Sequence, residues 1–105
     1  MTLQKFNSKE MISLIKEKYI PLIALFVSKQ ITVQQFETDY SQLFISGLPG
    51  CGYDTFEVLE AVFGDLKAWY PTPDPALWPA EIGEQELYKN CQENLETLKQ
   101  IVERA

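Results

Sequence analysis

The chain contains no histidine, and of its 105 residues only two are cysteine and five glycine. Without histidine no Ser-His-Asp or Cys-His relay can form, and the commonest metal ligand is missing. Cys51 and Cys91 stand too far apart for a zinc site, and two cysteines do not make a disulfide framework. They read as free thiols in a reducing compartment. Three of the glycines fall in Gly47-Leu-Pro-Gly-Cys-Gly52. That loop lacks the Lys-Ser/Thr pair of a phosphate-binding loop and follows no strand-like run, so it reads as a turn. Long apolar runs are missing too: the longest, Tyr19 to Val27, is far short of the ~20 residues a membrane span needs. Met1 to Glu10 is charged and has no apolar leader pattern, so the expected location is the cytoplasm, with no membrane partner. No convincing strand alternation and no internal repeat is present.

What is there is a globular composition, 46% apolar and 12% aromatic, enough for one helical domain over residues 1–105. Four helical segments can be read. The first runs from about Ser8, a plausible N-cap, to Ser28, with Met11, Ile12, Ile15, Tyr19, Leu22, Ile23, Phe26 and Val27 near helical spacing. Pro21 interrupts it, so the helix either kinks near Tyr19 or restarts with Pro21 in its first turn. Thr32 with Gln35 predicts a capping box for the second, whose apolar stripe is Phe36, Tyr40, Leu43 and Phe44 and which ends at Gly47. Asp54 with Glu57 predicts a capping box for the third, burying Phe56, Leu59, Val62, Phe63, Leu66 and Trp69 or Tyr70. Pro71 to Pro79 holds four of the six prolines and is expected to be an extended, stiff crossover. The last helix spans about Glu84 to Glu103, with Leu87, Cys91, Leu95, Leu98 and Val102 inward. The predicted fold is all-α, a four-helix antiparallel bundle.

Charge is unevenly spread. Residues 1–30 carry five lysines against Glu10 and Glu17, whereas residues 31–105 carry thirteen acids against Lys67, Lys89, Lys99 and Arg104. An acidic excess repels nucleic acid and attracts basic protein surfaces. The carboxylate pairs Glu57/Glu60, Glu81/Glu84 and Glu93/Glu96 can serve acid–base chemistry only where a pocket separates their pKa values. On helix surfaces they read first as solvated faces. Cys51 has no neighbouring base visible in the sequence. Trp69, Tyr70 and Trp78, around the proline segment, close the end of the bundle or anchor an interface, since Trp and Tyr are enriched at binding hot spots. These readings favour a protein-binding module with no cofactor over an enzyme. A helical adaptor or regulatory protein for a basic partner stays open.

The stretch from Tyr19 through Ile31-Thr-Val-Gln-Gln-Phe-Glu-Thr-Asp-Tyr-Ser-Gln-Leu-Phe44, and that from Phe56 to Asp74, resemble the bacterial colicin-like immunity proteins of the colicin D type. So does the acidic turn Ile82-Gly-Glu-Gln-Glu-Leu87. The resemblance covers roughly residues 19–100 and rests on the order and spacing of the segments. It implies a small four-helix protein that binds the C-terminal nuclease domain of a cognate toxin. The target in colicin D systems is a tRNA-cleaving ribonuclease, and related proteins accompany toxins of contact-dependent growth inhibition systems. By position it implies toxin-facing acids at Glu57, Glu60, Asp65 and Asp74, joined by Glu81 and Glu84. With Tyr70 and Trp78 as candidate anchors, these form the expected partner-binding set. Lys67 stands where family members often carry an acid.

Overall fold

The structure, a computed structural model, describes residues 4–71, 76–77 and 81–105. Its first helical rod is continuous but not uniform: α1 (Lys9–Leu14), a π-helical turn (Ile15–Tyr19) and α2 (Ile20–Val27) run end to end. Ser8 caps it as expected, its side chain accepting a hydrogen bond from the Met11 amide. The π turn answers the question posed by Pro21. Pro21 has no amide to donate, and its ring would crowd the carbonyl of the preceding turn. The ladder widens just before it, the Ile20 amide reaching back to the Ile15 carbonyl, and α2 begins with Pro21 in its first turn. The same widening serves the core. Met11, Ile15, Tyr19 and Ile23 are spaced four residues apart, a step that drifts by ~40° per turn on an α-helix. The wider turn takes up that drift, and all four are fully buried.

The rod ends at Ser28. The Lys29 amide bonds to the Phe26 carbonyl and the Gln30 amide to that of Leu25, a Schellman pattern. Lys29 occupies the left-handed position, at φ 63°, where glycine is usual. Its ammonium lies 5.4 Å from the centre of the Tyr88 ring.

The next three helices are α3 (Val33–Ile45), α4 (Tyr53–Ala68) and α5 (Glu84–Glu103). Thr32 caps α3 through the Gln35 amide. The capping box is only half made, because the Gln35 side chain bonds Asp39 instead of reaching back. Gly47, just past the end of α3, takes φ 119° as its role in stopping the helix requires. The expected Asp54 cap of α4 is not formed: Gly52 is the N-cap and Asp54 lies inside the first turn. The reason is tertiary. The Asn7 carboxamide accepts from the Gly52 amide at 2.7 Å and donates to the Thr55 hydroxyl at 2.7 Å, so a distant residue holds this helix start. Residues 4–8 also pair with the α3–α4 loop through Gln4 and Cys51, Gln4 and Tyr53, and Ser8 and Gly50. Gly50 is required there: its φ is +60°, and a Cβ would lie 2.5 Å from Ser8 Cβ.

Successive rods are antiparallel, and each packs on its neighbours around one core. The rings of Phe36, Phe26 and Tyr88 stack across α3, α2 and α5 at 4.4 Å spacings. Across the α3–α4 seam Phe44 stacks on Phe63 at 4.7 Å. The all-α bundle is as predicted: among the described residues there are four helical rods and no strand, only two isolated bridges. One of these pairs Trp69 with Ile82, so the proline-rich connection returns the chain to the helix it left. Most of the predicted extended stretch, residues 72–75 and 78–80, lies outside the described residues.

Candidate partner-binding surface

α4 presents two faces because its apolar residues recur at helical spacing. Thr55, Leu59, Val62 and Leu66 are buried, while Tyr53, Asp54, Glu57, Glu60, Gly64 and Lys67 face solvent. Glu57 and Glu60 stand one turn apart on that outer face and form no ion pair among the described residues. Lys99–Glu96 on α5 is the one salt bridge described there.

Asp65 behaves differently. It sits on the flank toward α5, half-buried, and accepts a hydrogen bond from the Asn90 side chain at 3.2 Å. Burial raises its pKa; Glu86 pushes the same way, and the Asn90 bond opposes both.

A second group gathers at the end of α4. The Tyr70 amide bonds to the Ile82 carbonyl and the Ile82 amide to that of Ala68. This pairing sets exposed Tyr70 beside the turn that carries half-buried Glu81 and exposed Glu84. From Glu57 to Ala68 is about 16 Å along the axis at 1.5 Å per residue. The expected set therefore divides into an acidic pair on mid-α4, an aromatic–acidic group at its end, and Asp65 turned toward α5. Asp74 and Trp78 lie outside the described residues.

Neither cysteine is placed for chemistry. Both are fully buried, and burial pushes the Cys51 thiol up to about 11 and that of Cys91 to about 12. No group of three or more His, Cys, Asp or Glu residues among those described is placed to hold a metal ion. None of the described helices is long and apolar enough to cross a membrane.

A family model described as bacterial self-protective colicin-like immunity matches residues 13–98, which takes in α3 and α4 whole and most of the first rod and of α5. The chain belongs to this family. Its role is therefore immunity of the bacteriocin kind, with a cognate toxin as binding partner. No curated protein and no solved structure matches the chain.

For a colicin-like immunity protein, the features that sequence reasoning passes over are two apolar side chains beside the acidic pair. Ile45, the last residue of α3, is 76% exposed, and Tyr53, the first of α4, is 57% exposed. Their signal in the sequence was position: each falls off the buried stripe of its helix.

Proposed function

We propose that this immunity protein neutralises the C-terminal nuclease domain of its toxin, a tRNA-cleaving ribonuclease, by presenting carboxylates where the enzyme's basic cleft receives RNA phosphates. The observation that carries the reading is the outer face of α4, where Glu57 and Glu60 stand exposed and unpaired among the described residues. A surface salt bridge within the protein would have spent those charges on a weak contact. Left open, they attract a cationic cleft over several ångströms and speed encounter. Once docked and desolvated, carboxylate–Arg pairs become strong, directional contacts that slow release.

The charges elsewhere fit this orientation. On the first rod the exposed Lys9, Lys16 and Lys18 outnumber the exposed Glu10 and Glu17, so that rod offers a basic partner no net attraction. The test is binding to the inactivated C-terminal domain of the cognate toxin, followed by stopped flow. Association is expected to slow at least ~10-fold between low and physiological salt. Reversing charge at Glu57 and Glu60 is expected to cost far more affinity than reversing Glu93 and Glu96 on α5. Equal costs, or a rate indifferent to salt, would remove the phosphate-mimicking surface from α4.

A further inference from the structure

The acidic pair borders an apolar seam. Phe44 on α3 stacks on Phe63 of α4 and lies 6.3 Å from Phe56, and all three rings are half-buried. The seam therefore keeps part of its aromatic surface in contact with solvent. Ile45 and Tyr53 extend it at the loop end. Ile45, the last residue of α3, lies ~100° further round that helix than Phe44, and Tyr53 lies one turn before Phe56, rotated by ~60°, so both border the seam on its solvent side. Both side chains are more than half exposed, and an exposed Ile and Tyr near three partly open rings amount to more apolar surface than an isolated rim residue. Further along the same two helices stand Glu37, half-buried on α3 and about 12 Å along the axis from Ile45, and Glu57 and Glu60, one and two turns on from Tyr53 on α4. The base on this face is Lys67, whose ammonium is drawn over the Phe63 ring at 5.0 Å.

We infer that the toxin domain seats on this α3–α4 face, with Ile45 and Tyr53 as apolar anchors inside an acidic rim. The inference rests on the toxin-neutralising reading above and commits to one occupant, the basic surface of that toxin. The reason is charge. A basic partner meets three exposed lysines against two exposed glutamates on the first rod, and at the groove between α2 and α5 it meets Lys29 and Lys89. On α5 it meets further acids, but that helix has no large exposed hydrophobic residue to anchor it. The α3–α4 face combines the two: carboxylates to draw the cationic surface in, and apolar side chains that the aliphatic stems of Arg and Lys can cover.

The test is the double variant Ile45→Ser/Tyr53→Ser, with Ile45→Lys alone as a second variant. Both sites are exposed, so thermal melting followed by circular dichroism should stay close to wild type. Binding to the inactivated toxin domain should weaken at least about tenfold, chiefly through faster release, as loss of a hot spot does. Phe6→Ser, exposed at the other side of the α4 N-terminus, should bind within twofold of wild type. Wild-type affinity in the folded double variant and in Ile45→Lys overturns this docking face, even if charge reversal at Glu57 and Glu60 still weakens binding. Failure of the wild-type protein to bind the toxin domain overturns the underlying reading, and this one with it.

Discussion

At the scale of single residues the core contains a matched pair of tyrosines with opposite accounts. Tyr19 and Tyr40 pack edge to face at 5.5 Å, and both are fully buried. The Tyr40 hydroxyl donates to the Leu59 carbonyl at 2.7 Å. The Tyr19 hydroxyl has no hydrogen-bond partner among the described residues. Burial raises the pKa of each, so both stay neutral. A buried hydroxyl without a partner costs free energy, while a satisfied one contributes about 1 kcal/mol. Tyr40→Phe is therefore expected to destabilise by about 1 kcal/mol, and Tyr19→Phe to be neutral or stabilising by a similar amount. Chemical denaturation of the two variants checks the contrast. Equal losses would mean that Tyr19 has a partner such as an ordered water. The sequence shows both residues as core aromatics on their helical stripes, but the hydrogen bond spans nineteen positions and is visible only once α3 and α4 are packed.

At the scale of elements, caps set by neighbouring residues were legible and a cap set from a distance was not. Ser8 and Thr32 cap the helices that directly follow them. Asp54 followed the same local rule and failed, because Asn7 organises the turn at Gly52 from forty-five positions away. The π turn shows a middle case. Pro21 announced a disturbance, and the four-residue spacing of Met11, Ile15, Tyr19 and Ile23 was present in the sequence. Which way the helix would adjust depended on the surface against which those four residues pack. α4 holds a feature that neither local rules nor packing explains: Gly64 sits in mid-helix, exposed, with open space where a Cβ would go. Helix interiors disfavour glycine by about 1 kcal/mol relative to alanine. Gly64→Ala is thus expected to stabilise the protein by up to about that amount, read as a higher midpoint in urea. A loss of stability would reveal a strain at this position that the open space does not suggest.

At the scale of the whole molecule, the thiols report on the integrity of the bundle. Cys51 is a fully buried member of the loop that residues 4–8 clamp, and Cys91 faces the core from α5. With their pKa values pushed up to about 11 and 12, neither presents thiolate at neutral pH, and thiolate is the reactive form. Native protein treated with an aromatic disulfide reagent at pH 8 is expected to react slowly, with both thiols appearing together as denaturant unfolds it. Early reaction of Cys51 alone would show that the N-terminal clamp opens independently of the bundle.

The sequence by itself determined the helices, most of the core stripes, the antiparallel bundle and the acidic bias after residue 30. These follow from spacing, local capping and composition, which act between near neighbours or on the chain as a whole. Its lack of histidine also removes every catalytic relay that depends on an imidazole. The tertiary structure decided which charges share a surface. It turned Asp65 toward Asn90 and joined Tyr70 to the Glu81–Glu84 turn through the pairing with Ile82, whereas Glu57 and Glu60 share the outer face of α4 as their helical spacing already implied. It also set exposed Ile45 and Tyr53 beside a half-open aromatic seam. Such groupings depend on which rods are adjacent and how each is rotated about its own axis. That rotation is set by the packing of the whole core, and no short stretch of sequence carries it.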